Sequence, residues 1–151
     1  DANGADKAIQ QYLFSKNYAN VEVFCSGVVC RNNVGQWRLR QIKTDIGVKG
    51  RAFYTAKDRV MTQEAIYGFM VWDGKSSGTL LNVLRLLRQN KKVVVYNVPE
   101  HRFVELKASS QWDDFIKPYD AALRFDAEDK VAIEDSASRM RDQTSLPLSF
   151  A

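Results

Sequence analysis

At 151 residues, 45% of them hydrophobic and 26% charged, the chain has the size of a single domain with a sizeable core. No apolar run approaches the roughly 20 residues that span a bilayer, and two cysteines are too few for a disulfide scaffold, so a reduced, cytoplasmic protein is expected. The net charge of +4 is unevenly placed: Arg31, Arg38, Arg40, Lys43, Lys49 and Arg51 lie together against Asp45 alone, while acids predominate from Asp120 to Asp142. The basic stretch suits phosphates or a nucleic-acid backbone, or else is a solvated hairpin or loop.

The chain begins "DANGADKAIQQYL", a glycine turn that feeds a helix. Ala5, Ala8, Ile9, Tyr12 and Leu13 recur at helical spacing, which predicts a helix over about Ala5–Lys16. "VEVFC", Val21 to Cys25, reads as a short buried strand, and a polar stretch with Gly27, Asn32, Asn33 and Gly35 follows. "QWRLRQIK" alternates in the manner of a second strand. Gly47 and Gly50 interrupt before a helix from Arg51 to about Glu64, whose inward stripe is Ala52, Phe53, Ala56, Val60 and Met61.

The clearest pattern is "IYGFMVWDGKSSGTLLNVLRLLRQNKKVVVYN". Ile66–Trp72 is almost wholly apolar, as a strand covered on both faces requires. "DGKSSG" connects it to a leucine-rich helix over Thr79–Gln89, and Lys92–Tyr96 is a second apolar strand, which completes a βαβ unit. An edge strand is expected at Phe103–Leu106, a short helix at Ser110–Lys117, and a charged helix or mobile arm from Asp126 to about Met140. "TSLPLSF" is expected to be a strap or a disordered tail. The alternation predicts an α/β fold, a Rossmann-like three-layer sandwich with a mainly parallel sheet, over residues 1–120, with a C-terminal helix and tail over 121–151.

Such sheets bind ligands beyond the carboxyl ends of their strands, so Asn3–Asp6 and Asp73–Thr79 are expected to meet there. In "WDGKSSGT", Gly74 and Gly78 let backbone approach a ligand, and Ser76, Ser77 and Thr79 bring hydroxyls to a helix start that favours an anion. Lys75 adds charge, and Asp73 could accept from a ribose; a plain helix cap at Ser77 or Thr79 explains the same letters. Gly4 and Asp6 repeat this pattern at the first helix, whose alternative is again a capped helix. In "TAKDRVM", Arg59 could grip a phosphate, or Lys57, Asp58 and Arg59 form an exposed, charge-balanced helix face.

"DANGADKA", "KDRVM" and the run from Ala65 through "VWDGKSSGT" together resemble the SLOG superfamily, which includes DprA/SMF proteins, LOG phosphoribohydrolases, YspA-type domains and molybdenum-cofactor-carrier-like proteins. The YspA-like branch is most similar, and the matched pieces span Asp1 to Tyr96. The resemblance implies a bacterial Rossmann-like domain that binds a nucleotide or nucleotide-derived ligand as a sensor or carrier. Family binding roles then fall on Gly4, Asp6, Arg59, Gly78 and Thr79, to which the reading of the loops themselves adds Asn3, Asp73, Gly74, Lys75, Ser76, Ser77 and Asn82. The catalytic glutamate that LOG-type enzymes carry after their glycine-threonine pair is replaced by Leu80, Leu81 and Asn82. N-glycosidic hydrolysis or transfer would therefore rest on Asp73 or Asp58. In the family the first loop follows a strand, so further sequence is expected ahead of Asp1, or another segment in that strand's place. A DNA-binding module of DprA type, using the Arg31–Arg51 stretch, is the third reading.

Cys25 and Cys30 flank "SGVV", near enough for a disulfide or half a metal site; with His101 the one histidine, neither a metal nor a cofactor is expected. Trp37, Trp72 and Trp112 could stack on bases, though Trp72, like Tyr67 and Tyr96, suits packing better. A homodimer is expected through apolar residues to spare on the Leu80–Leu87 helix, with no membrane partner.

Overall fold

The computed structural model describes residues 3–44 and 47–144, with no side-chain description for Arg51 and residues 141–144. The strap or tail expected from Ser145 onward lies outside the described residues. The protein is α/β; the described residues form five α-helices, one turn of 3-10 helix and two small sheets that are only partly parallel. The single Rossmann-like sheet expected from the alternation is not what the described strands form. They divide between two compact units, residues 1–66 and 67–151.

The first unit comprises α1 (Ala5–Ser15), β1 (Glu22–Ser26), β2 (Arg38–Ile42) and α2 (Gly50–Glu64). α1 stops where Asn17 turns to a φ of 52°, a left-handed conformation that asparagine tolerates. β1 and β2 pair in parallel, from Glu22 opposite Arg38 to Ser26 opposite Ile42. The hairpin reading of the basic stretch is thereby corrected, since two strands joined by a hairpin run antiparallel. Residues 27–37 make the crossover without a helix, and side chains hold it in place of one. Asn33 accepts from Trp37 N (2.9 Å) and donates to Trp37 O (2.8 Å), while the buried Gln10 accepts from Val34 N at 3.0 Å. Gly27, at φ 75°, lies so close to the Phe53 ring that a β-carbon would come within 2.7 Å of it.

The second unit comprises β3 (Tyr67–Trp72), α3 (Ser77–Arg88), β4 (Lys92–Asn97), β5 (Arg102–Leu106), the 3-10 turn Ser109–Gln111, α4 (Trp112–Ile116) and α5 (Ala121–Thr144). β4 is central: β3 joins it in parallel, from Tyr67 opposite Lys92 to Trp72 opposite Asn97, and β5 joins it antiparallel. α3 packs on β3 and β4, and α5 packs on α3. Trp72, Val93, Val95 and Leu106 are buried, whereas Tyr67, Phe69 and Phe103 stand exposed. Among the described strands β3 stands at the edge of its sheet, and with Tyr67 and Phe69 exposed its apolar run is not covered on both faces as its composition suggested. The leucine-rich helix also differs from expectation. Leu80, Leu81, Val83, Leu84, Leu86 and Leu87 are all buried, so α3 keeps no apolar surplus for a dimer contact. The region read as a charged helix or arm is helix throughout its described length, with Ala127 and Val131 buried.

One cation is enclosed in this packing. Arg85 is 5% exposed and takes both oxygens of Glu134 on α5, Nε to Oε2 at 3.0 Å and Nη2 to Oε1 at 2.5 Å, with Nη1 donating to Asn82 Oδ1 at 2.7 Å. A buried guanidinium is tolerated only when paired and hydrogen-bonded in this way. Glu134→Ala should therefore cost about 3–5 kcal/mol in urea unfolding. Asp135→Ala, which removes the exposed partner of Arg88, should cost under about 1 kcal/mol. Equal losses in the two variants would contradict this account of α3–α5 packing.

Candidate functional site

β3 delivers the chain to loop 73–76 at a fixed point, because the Trp72 ring is fully buried and its Nε1 donates to Ser76 O at 3.1 Å. Asp73 Oδ1 then accepts from the backbone N–H of Lys75 (2.9 Å) and of Ser76 (2.7 Å), the local turn that aspartate favours. Gly74 has a φ of 78°, and a β-carbon there would sit 3.2 Å from the Pro99 ring. Ser76 is the cap of α3: its Oγ accepts from Thr79 N at 3.4 Å and from Thr79 Oγ1 at 3.2 Å. The helix therefore starts at Ser77, two residues before the expected Thr79, and neither Ser77 nor Thr79 is its cap.

Electrostatically, α3 is one-sided. It has no acidic residue in its first turn, while Arg85 and Arg88 occupy its last. The basic end complements the C-terminal pole, and the N-terminal pole has no carboxylate of its own within the helix. Lys75 is exposed beside it. A β-carbon at Gly78 would meet nothing nearer than Ser76 Oγ at 3.9 Å, so that backbone is open to close approach. The two amide donors, Lys75 first, hold the Asp73 carboxyl below the ordinary aspartate range.

The same edge carries a polar group that sequence reasoning missed. Val98 N donates to Trp72 O at 2.9 Å, which places the 98–101 turn beside loop 73–76. The buried Asn97 donates to Tyr119 Oη (2.8 Å), and Tyr119 donates to Glu100 Oε1 (2.8 Å). Arg102 pairs with the other Glu100 oxygen. That guanidinium, with Tyr119 second, lowers the Glu100 carboxyl, while burial and then Glu100 raise the Tyr119 hydroxyl. The signal available was "NVPEHR", turn residues closing an apolar strand.

In the first unit, Gly4 takes φ 74° and ψ −126° ahead of α1, a conformation that favours glycine. Asn3 Oδ1 accepts from Asn32 Nδ2 at 2.9 Å. Asp6 is drawn to α2 by Lys57, whose Nζ lies 3.7 Å from Asp6 Oδ2 and 2.5 Å from Asp58 Oδ1. The Lys57 side chain is only 4% exposed, so the segment is not the exposed, charge-balanced face its letters suggested; Asp58 is half-buried and Arg59 exposed. The Asn3–Asp6 and Asp73–Thr79 loops thus fall in different units. Asn82, expected at the ligand, faces Arg85 in the α3–α5 network.

The basic stretch is partly neutralised: Arg38 and Arg40 both approach Glu22, at 3.2 and 3.6 Å, and Arg40 also reaches Glu64 at 2.5 Å. Of the tryptophans considered for stacking, Trp72 and Trp112 are buried. Among the described residues no three candidate ligands cluster for a metal, and no helix is long and apolar enough to cross a membrane. No protein-family model, curated protein or solved structure matches the chain.

Asp73 offers a check on this geometry. Its folded-state value is depressed, so its stabilising contribution is present above the ordinary aspartate value of about 4 and is lost as pH falls through the lower folded value. Wild type should lose more unfolding free energy than Asp73→Asn as pH drops from about 5 to 2. Parallel pH profiles for the two proteins would show that the amide-to-carboxylate bonds do not form in solution.

Proposed function

We propose that the chain binds a nucleotide or nucleotide-derived, phosphate-bearing ligand at the start of α3, as a sensor or carrier domain of Rossmann-like, SLOG-like type. The observation that carries this reading is the junction itself. A glycine-bearing loop leads a parallel strand into a helix of 12 residues with no acid in its first turn, at the edge where open α/β sheets hold anions. In this reading Gly78 admits the phosphate to the backbone amides, and Lys75 adds charge. Ser77 and Thr79 supply hydroxyls, and Asp73 with Gly74 and Ser76 fixes the loop. In the first unit the SLOG-like assignment places the Gly4 backbone and Arg59 at the ligand, with Asp6 paired to Lys57.

Binding is favoured over N-glycosidic cleavage by the state of the carboxylates. A general acid must hold a proton near neutral pH, whereas Asp73 is stabilised in its ionised form by two backbone donors. That would leave it the role of nucleophile or base, with no acid beside it from Asp58 or Asn82. Asp58 is committed to the buried Lys57. Asn82 cannot replace the glutamate of LOG-type enzymes, and its oxygen already serves Arg85.

Gly78→Ala tests the assignment cleanly, because the added methyl has room within the fold and lies where a phosphate would approach. The variant should unfold at the wild-type temperature or slightly above, since alanine is the better helix former by about 1 kcal/mol. It should lose the stabilisation that wild type gains from a panel of nucleoside mono- and diphosphates; Thr79→Ala should weaken it. Equal thermal shifts in wild type and Gly78→Ala would remove loop 73–79 as the site, and base release from the nucleotides would replace the carrier reading with the enzymatic one.

A further inference from the structure

The sheet of the second unit has a face that phosphate binding does not use. α3 packs on β3 and β4 from the side of Gly68 and Trp72: a β-carbon at Gly68 would run into Leu86 of that helix, and Trp72, Val93, Val95 and Leu106 are buried. Side chains alternate along a strand, so Tyr67 and Phe69 of β3, Val94 and Tyr96 of β4 and Phe103 of β5 project from the opposite face. There Tyr67 is 68%, Phe69 53% and Phe103 67% exposed, and the Tyr96 and Phe103 rings pack 4.8 Å apart. At about 200 Å² for each aromatic side chain, the three exposed rings leave roughly 380 Å² in water, nearly half of the ~800 Å² that each partner buries in a stable complex. Two charges stand among them, Lys92 on β4 and Glu105 on β5, and with Tyr67, Phe69 and Val94 they line an open groove of about 490 Å³.

We propose that a second copy of the chain covers this face, in a twofold dimer where Lys92 of each copy meets the partner's Glu105 around a core of aromatic rings. The two charges identify the occupant. One cation and one anion on neighbouring strands make the face self-complementary. A twofold axis lying in the plane of contact, midway between Lys92 and Glu105 and at right angles to the line joining them, sets each lysine over the partner's glutamate. With strands about 4.8 Å apart and same-face residues about 7 Å apart along each, that axis also carries Phe69 close to its own copy. Glu105 exchanges an exposed contact with Lys107, at 3.3 Å, for the new pair, and such a contact is worth little. Single-stranded nucleic acid also stacks on rings exposed along a sheet, but it requires an excess of cations, and the charges within these strands balance. Loop 73–79 contributes no residue to the face, so the dimer and the ligand site succeed or fail separately.

Sedimentation velocity and light scattering on the full chain should give twice its mass of 17.2 kDa. Lys92→Glu and Glu105→Lys, both at exposed positions, should each weaken the dimer at least about tenfold, because like charges then meet twice across the axis. An equimolar mixture of the two variants should recover a dimer, since each then offers the other the opposite charge. A monomeric wild type, a dimer indifferent to both substitutions, or no recovery in the mixture would overturn the proposal. So would a single-stranded oligonucleotide that wild type binds and Phe69→Ala releases, which would assign the rings to bases.

Discussion

The parallel pairing of β3 with β4 is the constraint on which the second unit depends. Two adjacent parallel strands end at the same edge of a sheet, here at Trp72 and Asn97, which lie opposite one another. The chain leaving Trp72 has to travel the length of the sheet before it can enter β4, and α3 makes that journey. The start of α3 is thereby fixed at the edge where both strands finish. β5 adds to the same edge because it runs antiparallel and begins there, with Arg102 opposite Asn97. Loop 73–76, the helix start and the 98–101 turn are neighbours because of strand direction, whatever residues they contain. Residue choice then decides what that edge is good for.

Among the described residues, Lys57 in the first unit and Arg85 in the second are buried cations, and each ties two helices together. Lys57 draws the first turn of α1 to α2 through Asp6 while holding Asp58 beside it. Arg85 fixes α3 against α5 through both oxygens of Glu134 and borrows Asn82 as a third acceptor. A buried charge adds little net stability compared with an apolar replacement, but it leaves few alternative registers, because a shift of one residue would strand it. The same pairs withdraw side chains from any ligand. Asp6, Asp58 and Asn82 all looked available on their own helices and are engaged by cations from within the fold.

Most of the element order was legible in the sequence because helical periodicity and turn residues are local signals. α1, α2, α3 and the β3–α3–β4 unit lie within a few residues of their expected bounds. What failed was non-local. An apolar run such as Ile66–Trp72 looks the same whether one face is covered or both, and only the placement of α3 and α5 on one side distinguishes them. The parallel pairing of β1 with β2 was hidden because its crossover carries no helix; Gln10 and Asn33 support it instead, and neither residue announces that role. The early start of α5 was within reach, since Asp120 follows Pro118 and its Oδ1 caps Ala122 N at 2.8 Å. In the site, the loop was found, while Ser76 as the cap and Lys57 as a buried residue were not. Lysine on a helix reads as solvent-facing by default, and only tertiary packing reverses that.

The chemistry of the second unit's edge follows from how its acids are held. Asp73 and Glu100 are both stabilised as anions, one by backbone amides and one by Arg102 with Tyr119, and Tyr119 is held as a neutral phenol by burial and by the bond it donates. Proton transfer at neutral pH calls for the opposite arrangement, a carboxyl raised by burial in apolar surroundings or by a like charge. Neither Asp73 nor Glu100 is held in that way. Fixed donors and acceptors of settled charge suit recognition, because they present the same pattern to each arriving ligand and cost little to reorganise. On the proposed reading, the two ionised carboxylates would repel an anion, which leaves the open Gly78 backbone at the helix start for its approach. On that reading, the phosphate of a ligand would therefore meet the helix start while its hydrogen-bond donors met the carboxylates.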